Sequence, residues 1–423
     1  MRRAPSRRGF LYLAVLFTSL IVIASATAAF SISTNRLRSR QTVLDSADAL
    51  RIAEAEAHRM ASLLSTADTT WRSSFVHGVA SSWRSADDGA LVRSVLSDAD
   101  GNLADDPAEP VTVTCYSAFR EARRGVAFTL QPIAKPLAIL DHTLIASGSV
   151  SVTSPGTFAC TGNVLCGSSV VIGPGVVASA GGWNATSTIS ATARGPQVIS
   201  GQSVSIPSTA IASQYTELAT PILSSSLPQS GGSLLLRRRI LTSTVNPFGA
   251  ANASGIYWIN AGGLPLIITE CRIQATLVIT NCSQVSLTAA NHLSPPSAGS
   301  AILVSTAPIR VTQCQRLLME STTSTNFNPT SAPFRGVGDN DTVDRYQSVL
   351  EGLVYTPMVF EWASDNAVNG MWVHGTIVCG SAIIAGPMSL ERDNDSITNP
   401  PLGFRLYDSM QFVHASWRTV PVP

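Results

Sequence analysis

Residues 10–66 show a hydrophobic pattern that favours one continuous α-helix. Residues 10–32 carry no charged side chain, and neither glycine nor proline occurs between residues 10 and 77. At about 1.5 Å per residue, such a segment is long enough to cross a bilayer core of ~30 Å. Apolar residues then recur at helix-compatible spacing among charged ones, at Leu37, Leu44, Ile52, Met60 and Leu63. The pattern predicts a stalk helix over 10–66 that is apolar at its N-terminal end and amphipathic beyond it.

After the helix, apolar runs become short and are separated by turn residues. A connector lobe is predicted at 67–136, with a strand over 111–116. From residue 137, alternating runs such as Val150-Ser-Val152 are divided by Gly or Pro-Gly. Runs this short cannot form a freestanding sheet, but stacked coil upon coil they would bury one apolar column. The predicted fold class is therefore α+β. The proposed segments are a β-solenoid-like body at 137–320, a loop at 321–348, and a C-terminal β block with a packed tail at 349–423.

The cysteines allow several interpretations. The chain has seven, and no Cys-x-x-Cys pair, which disfavours a zinc ribbon or a thioredoxin-like site. In an exported protein up to three disulfides are possible, and Cys160 and Cys166 are close enough in sequence for a short bridge. Three Thr-x-Cys tripeptides end at Cys271, Cys282 and Cys314. They predict an interior set of thiols, with a disulfide or metal role as the alternative.

Composition and charge exclude several classes of function. Charged residues are only 13% of the chain and the formal net charge is +1, so no basic field indicates a nucleic-acid partner. The six histidines show no paired metal-ligand spacing. Gly-x-Ser-x-Gly, P-loop and Gly-x-Gly-x-x-Gly motifs are absent. We therefore predict no catalytic residues, no cofactor and no enzymatic activity. The densest charge run, residues 237–239, is predicted to be a solvated strand edge rather than a phosphate or headgroup contact.

Two acidic clusters are the remaining candidates for cation binding. Asp98, Asp100, Asn102 and Asp105 offer the hard oxygen ligands that calcium prefers, but they lack the full spacing of a calcium-binding loop. A solvated turn is the simpler prediction, with calcium as the alternative. The second cluster lies in the predicted loop, where a polysaccharide-cleaving carboxylate set is again the alternative to a solvated turn. Its members are Asp339, Asn340, Asp341 and Asp344.

The N-terminal residues resemble a known family. The junction Arg7-Arg8-Gly9-Phe10, followed at once by the apolar helix, resembles the class III signal of type IV pilins and type II secretion pseudopilins. That resemblance implies that a prepilin peptidase removes a basic leader, 1–9, by cleaving between Gly9 and Phe10. Residues 47–61 (ADALRIAEAEAHRMA) are similar to the helix of PilX-type minor pilins and GspK-type minor pseudopilins. The specific resemblance covers residues 1–65.

One position departs from the family pattern. Major pilins place a glutamate five residues after the cleavage glycine, where it neutralises the N-terminal amine of a neighbouring subunit, whereas this chain has Ala14. An unpaired carboxylate in lipid is costly, so its absence fits a subunit at the tip or base of a filament. The resemblance implies a single-pass protein of the bacterial inner membrane, with its C-terminal body in the periplasm or on the cell surface. Its implied partners are membrane lipid, prepilin peptidase and other pilin-like subunits, contacted through the helix.

The same N-terminus also fits two other interpretations. Ser6-Arg7-Arg8-Gly9-Phe10 matches the twin-arginine export pattern, and Ala24-Ser25-Ala26 matches a signal-peptidase site. The alternative function is then an exported β-helical protein that binds or cleaves carbohydrate. A plain signal anchor is the third possibility. Continuity favours the pilin-like interpretation, because a signal peptide has no reason to continue in helical register far beyond its cleavage site.

Overall fold

The protein combines one long N-terminal helix with a strand-rich body, 44% strand and 21% helix. The computed structural model describes residues 7–66, 70–86, 89–153, 157–201, 203–312, 316–364 and 370–422, with side chains from residue 11 onward. The chain forms two compact units. The first unit comprises Met1–Ala134 and Tyr407–Pro423, and the second comprises Lys135–Leu406. At this coarse level, the predicted combination of an apolar N-terminal helix and a β-rich remainder is confirmed.

Helix α1 runs without a break over Arg7–Leu64, within two or three residues of the predicted bounds. Its side chains are exposed from residue 11 to 33, and most remain so up to residue 44. Beyond residue 44 one face of the helix is buried, and five apolar side chains form a stripe along this face, each at most 1% exposed. Spacings of four and three residues place the stripe on one side of the helix, and its alanines let the helix approach a sheet closely. The stripe consists of Ala49, Ala53, Ala57, Met60 and Leu64.

The stripe packs on the five-stranded sheet of the first unit, whose strand order is β1-β2-β3-β4-β29. The inward side of β3 alternates strictly, with Val111, Val113 and Cys115 all 0% exposed, as expected for a strand with one buried face. β3 pairs antiparallel with both β2 and β4. The elements of this unit besides α1 are α2 (Trp71–Ser74), β1 (Arg84–Ser85), β2 (Leu91–Ser97), β3 (Val111–Phe119), β4 (Ala122–Pro136) and β29 (Arg405–Val420).

The C-terminal tail completes the sheet of the first unit. We expected the tail around Trp417 to pack back on the body, and its strand β29 is the edge neighbour of β4 in the first unit. Trp417 stacks 5.8 Å from Phe128 and 5.4 Å from His58. A sequence pattern identifies the strand, but pairing across nearly 300 residues depends on which sheet edge is free, and this is not a local property.

The second unit is built from stacked parallel strands. One stack runs β12, β16, β19, β22 and then part of β26, each strand in parallel register with the next. Two further stacks run β14, β17, β20, β23 and β15, β18, β21, and both also reach β26. The bounds are β12 (Thr220–Ile222), β13 (Gln229–Ser230), β14 (Ser233–Arg237), β15 (Ile240–Thr242), β16 (Ile256–Asn260), β17 (Leu266–Thr269), β18 (Arg272–Gln274), β19 (Thr276–Thr280), β20 (Val285–Thr288), β21 (His292–Ser294), β22 (Ala301–Ser305), β23 (Ile309–Thr312) and β26 (Val349–Ala363).

The stacks continue beyond β26 in an order that differs from the order along the chain. β26 pairs with β27, and β27 then pairs with β5, β6 and β28. The earlier strands 144–199 therefore lie on the far side of the 349–391 block and not directly against β12–β23. Their bounds are β5 (Leu144–Ala146), β6 (Val150–Val152), β7 (Thr157–Cys166), β8 (Ser169–Ile172), β9 (Val177–Ala185), β10 (Thr188–Ile189), β11 (Gln197–Ile199), β27 (Met371–Ala385) and β28 (Met388–Glu391).

Two additions cover the stacked strands. Helix α3 (Ala210–Leu218) packs through Ile211 and Tyr215 against one outer face, which includes Tyr355. The predicted loop 321–348 is enclosed by an antiparallel pair, β24 (Leu317–Met319) with β25 (Arg345–Gln347). The remaining short helices are α4 (Glu320–Thr323) and α5 (Asp395–Thr398).

Candidate functional site

The N-terminal half of α1 is an exposed apolar surface. Ten large apolar side chains between Leu11 and Ile23 are 53–73% exposed. The helix satisfies the length and hydropathy expected of a membrane span. Hydroxyls within it return to the helix backbone, as when Thr18 Oγ1 donates to Ala14 O over 2.9 Å. Such bonds satisfy polar groups where water is absent, so this half of α1 is chemically suited to a lipid or protein surrounding.

The proposed cleavage junction lies at the start of this helix. Gly9 and Phe10 are helical, but their side chains lie outside the described part of the structure. Ala14 is exposed on the helix, among the apolar side chains. Cleavage after Gly9 and the role of Ala14 therefore stay predictions.

The C-terminal half of α1 is fixed by one buried carboxylate. The Glu56 side chain is 5% exposed. Arg59 donates to it through Nε and Nη2 over 2.8 and 2.7 Å, and Arg84 Nη2 donates over 2.7 Å. Ser94 of β2 donates a weaker bond over 3.3 Å. Burial alone would raise the pKa of Glu56, but its hydrogen bonds and charge interactions with the two arginines outweigh burial and lower that pKa.

Further polar contacts join α1 to the β3–β4 hairpin. The Ser117 hydroxyl of β3 donates to the Ala49 carbonyl. Arg120 Nη1 lies 2.9 Å from Asp45 Oδ1, and Arg124 Nε donates to Ser46 Oγ over 2.9 Å. The arginine contacts are exposed, so each adds little stability, but together they set the register of helix against sheet.

An apolar recess lies beside the same helix. It encloses about 470 Å³ and is lined by His58, Ala61, Phe412, His414 and Trp417. The indole of Trp417 forms one side of this recess. Its ring stacks between His58 and Phe128, so it serves packing in the first unit.

The first acidic cluster is only partly as predicted. Asp98 and Asp100 do come together, but their third partner is Glu109, and one oxygen from each of the three lies within 4.8 Å of the others. Asn102 and Asp105 instead accept hydrogen bonds from backbone amides one or two residues further on, as turn residues do. We did not select Glu109 from the sequence. The signal was available, because Asp98 directly follows β2 and Glu109 nearly adjoins β3 of the same antiparallel pair.

A buried arginine organises this loop. Arg72 of α2 is 6% exposed and donates only to backbone carbonyls among its oxygen partners, over 3.0–3.2 Å. Burial lowers the pKa of Arg72, while the surrounding carboxylates raise it. The guanidinium therefore neutralises part of the loop's negative charge without a hydrogen bond to any carboxylate in the described residues. The four accepting carbonyls belong to Leu103, Asp106, Pro107 and Glu109.

The second acidic cluster ties the 321–348 segment together. Glu320 is 0% exposed and accepts bonds from the Phe327 amide, the Asp344 amide and the Tyr346 hydroxyl. Burial and the adjacent Glu320 charge raise the pKa of Tyr346. Asn328 Nδ2 donates to Asp344 over 2.8 Å, and to Asp339 over 3.2 Å. Asn340 and Asp341 are both exposed. These carboxylates are engaged with the protein's own donors, an arrangement that holds a loop.

The arginine run and the thiols have structural partners. Arg237 and Arg238 both donate to Glu270 Oε2, over 3.2 and 2.7 Å, so two of the three arginines are ion-paired.

The six described cysteines are free, so the short Cys160–Cys166 bridge is not formed; Cys314 lies outside the described residues. Burial raises the pKa of Cys271 to about 12, which disfavours a thiolate ligand there. Its packing in the apolar core fits the predicted interior thiol.

Comparison with known proteins adds little to this picture. No protein-family model matches the chain, and no curated protein matches it. Solved structures that align with parts of it include the following two. An ice binding protein from an Antarctic Biological Consortium aligns at 13% identity and a TM-score of 0.28, over 62% of this chain and 94% of that one. The competence-associated pilin ComZ from Thermus thermophilus aligns at 10% identity and a TM-score of 0.26, over 90% of this chain and 97% of that one. With TM-scores below 0.5, neither similarity establishes a shared fold or a function.

Proposed function

We propose that this protein is a membrane-anchored, pilin-like structural subunit. Its N-terminal helix assembles with the helices of other pilin-like subunits in the bacterial inner membrane, at the tip or base of a type IV pilus or a type II secretion pseudopilus. Prepilin peptidase cleaves between Gly9 and Phe10. The rest of the chain lies in the periplasm or on the cell surface. No catalytic activity and no nucleic-acid partner are part of the proposal.

The observation that carries the proposal is that one helix has two environments. From residue 11 to 33 the side chains of α1 are exposed and mostly apolar, whereas Ala49–Leu64 contributes a buried stripe to the core of the first unit. A cleaved export signal would not need to share a helix with a folded core. A helix that stays in the mature protein explains both halves, because its apolar half needs a lipid or helical partner.

Ala14 supports the choice of a minor subunit. A subunit inside a filament has a neighbour whose terminal amine can pair with a glutamate at this position; a subunit without that neighbour would leave the carboxylate unpaired in lipid. With Ala14 the helix avoids this cost. We therefore propose that the protein lies at one end of the filament, where its helix has neighbouring subunits on one side only.

For the second unit, we propose a β-solenoid body. Three stacks of parallel strands meet at β26 and β27, and each stack contributes side chains such as Leu277, Leu287 and Ile273 to one apolar interior. Stacking of short strands in this way is the principle of a solenoid. Its role in the proposed mechanism is mechanical, since its bulk would limit the subunit to sparse or terminal positions in a filament.

The non-enzymatic part of the proposal is supported by the use of the acidic residues. The acidic cluster that we considered as a polysaccharide-cleaving set includes Asp339 and Asp344. These two carboxylates and Glu320 accept hydrogen bonds from their own loop. A glycosidase needs a general acid and a second carboxylate that face a substrate groove. We therefore favour a structural role over the exported carbohydrate-active alternative.

The mature N-terminus tests the proposal. We expect intact-mass analysis of the native protein from a membrane fraction to show a chain that begins at Phe10. Gly9→Val should retain the leader, while the matched change Ala26→Leu at the rival signal-peptidase site should leave the N-terminus unaltered. A chain that begins after Ala26 and is recovered in the soluble fraction would refute the proposal; one that begins at Met1 would indicate a plain anchor.

Assembly is tested separately by photo-crosslinking. A photoreactive residue in place of Val22, which is 64% exposed on the apolar half of α1, should capture another pilin-like subunit in cells. The same residue in place of Ile383, exposed on β27, is the control and should capture no such subunit. Equal capture from both positions would contradict assembly through the helix.

A further inference from the structure

The hairpin between β2 and β3 contains a group of carboxylates that the proposed structural role does not use. One oxygen each of Asp98, Asp100 and Glu109 lies within 4.8 Å of the other two. The Asp98 side chain is 1% exposed, so its charge is almost wholly removed from water. Three anionic groups this close repel one another unless a cation or protons intervene.

The hydrogen bonding of Asp98 leaves one oxygen available. Oδ1 lies 2.8 Å from His77 Nδ1 and accepts from the Gly101 amide over 3.0 Å. Oδ2 is buried and has no hydrogen-bond partner among the described residues, and the same holds for Glu109 Oε2. Buried carboxylate oxygens are normally satisfied, so two such atoms in one cluster indicate a missing positive partner.

The protein's own bases do not fill this place, because His77 contacts Oδ1 of Asp98 and leaves Oδ2 without a partner among the described residues. Arg72 is the buried base next to the loop, and its guanidinium donates to backbone carbonyls, as described above. None of these four hydrogen bonds reaches a carboxylate oxygen of the cluster, so Arg72 leaves the three acids without a bound cation. Asp105 and Asp106 add further negative charge to the same loop.

We propose that Asp98, Asp100 and Glu109 bind a calcium ion. All three offer hard oxygen ligands, and separations of up to 4.8 Å match oxygens around one ion at roughly 2.3–2.6 Å. Magnesium needs a smaller, near-octahedral set at about 2.0–2.1 Å, and zinc prefers nitrogen and sulfur ligands. Asp100 is exposed, which leaves room for water molecules to complete the coordination. The ion would fix the end of β2 to the start of β3.

The effect of the ion would be on the stability of the first unit. A ligand that binds only the folded state raises the unfolding temperature as its concentration rises above the dissociation constant. Calcium sites in extracellular modules bind with constants of roughly 10⁻⁴–10⁻³ M, a range suited to a compartment outside the cytosol. This inference does not depend on membrane anchoring, and it could be right even if the proposed function is wrong.

Calorimetric titration of calcium chloride into the full-length, chelator-treated protein in detergent tests the site. We expect one ion per chain with a dissociation constant below about 1 mM, and weaker binding of magnesium. Glu109→Gln and Asp98→Asn should each weaken binding by about tenfold or more, because each removes a ligand charge. Asp106→Asn, a matched change in the same loop at an exposed residue whose Oδ1 accepts from the Ala108 amide, should change the constant by less than about threefold on the same grounds.

Circular dichroism and thermal unfolding with and without calcium accompany the titration, because Asp98→Asn removes a buried group. If that variant does not fold, the partly exposed Glu109 provides the decisive variant. The absence of calcium binding up to about 10 mM would overturn the proposal, since it lies well beyond the range of extracellular sites. Equal losses in Glu109→Gln and Asp106→Asn would also overturn it, because they would indicate diffuse attraction to an acidic loop. Equal affinities for magnesium and calcium would do the same.

Discussion

The attachment of α1 to its sheet depends on Glu56, and Glu56→Gln is the sharpest perturbation of it. Glutamine keeps the shape of the side chain but removes its charge, and it turns an amide NH₂ towards donors. Arg59 and Arg84 would lose their charged acceptor, and Ser94 would keep at most one neutral bond. The variant should therefore weaken the contact between the buried stripe of α1 and the sheet, and leave the apolar half of the helix unchanged.

The size of the effect follows from the burial of the partners. Removing one member of a wholly buried ion pair costs roughly 3–5 kcal/mol. Here only Glu56 is buried at 5% exposure, whereas the Arg59 and Arg84 side chains are 48% and 52% exposed and remain hydrated. Solvent therefore screens much of the interaction, and we expect a loss of about 2 kcal/mol. That corresponds to about a 30-fold increase in the equilibrium constant for local opening.

Hydrogen exchange followed by mass spectrometry measures this opening in the full-length protein in detergent. Peptides from 47–61 should exchange about 30-fold faster in Glu56→Gln than in the parent when opening is the limiting equilibrium. The matched control is Glu54→Gln, two residues away on the same helix, because Glu54 has no ion-pair or hydrogen-bond partner in the described part of the structure. It should alter exchange by less than about twofold, within the usual effect of a surface substitution.

The pH dependence gives an independent check with a defined sign. Because the pKa of Glu56 is lowered in the folded state, its contribution is fully present above the unfolded value of about 4.3 and is lost as pH falls through the folded value. The ratio of exchange rates between variant and parent should thus fall towards one in acid. A ratio below about 3 at pH 7, or one that does not change with pH, would refute the importance of this carboxylate.

Two further predictions concern the second unit. Leu277→Ala should lower the free energy of unfolding of this unit by about 2–5 kcal/mol in denaturant, because Leu277 is 0% exposed in the shared interior. Ile383→Ala, at a side chain that is 38% exposed, should lower it by well under half as much. Similar losses in the two variants would contradict the packing. Cys271 should resist alkylation at pH 8 in the folded protein, because burial raises its pKa to about 12, and the partly exposed Cys282 should react before it. Peptide mapping after timed alkylation checks the order of modification. Early modification of Cys271 would show that its surroundings are open to solvent.

The stalk helix could be predicted closely because its signals are local. The absence of glycine and proline and the long uncharged segment fix its existence, and apolar spacing indicates which side of its second half is buried. The large apolar residues of this segment do not mark its buried side as well. Leu37 and Leu44 are 62% and 59% exposed, whereas three of the five residues in the buried stripe are alanines. Alanine is apolar but small, so a pattern based on large side chains misses a face that is packed closely by small ones.

The order of the strand stacks could not be predicted, for a different physical reason. Short strands at 144–199 and 220–312 are each recognisable, but either block offers open edges with similar side chains. The block at 349–391 lies between them, through the long strands β26 and β27. Strand pairing depends on complementary edges and on the entropy of the connections, and neither appears in a local window of sequence. Glu109 is a different case, because it lies across the short β2–β3 hairpin from Asp98 and a hairpin prediction would have paired the two.

The two halves of α1 differ in the free energy that contact with their surroundings contributes. Ten large apolar side chains at 53–73% exposure between Leu11 and Ile23 would each gain roughly 1–2 kcal/mol on burial, a total on the order of 10 kcal/mol or more. The Glu56 contacts contribute about 2 kcal/mol by the reasoning above. Loss of docking in Glu56→Gln should therefore leave the protein in the membrane fraction, with a more mobile second half of the helix. If the variant instead became soluble, the apolar half would not be the anchor, and retention of the helix in the mature protein would lose its physical basis.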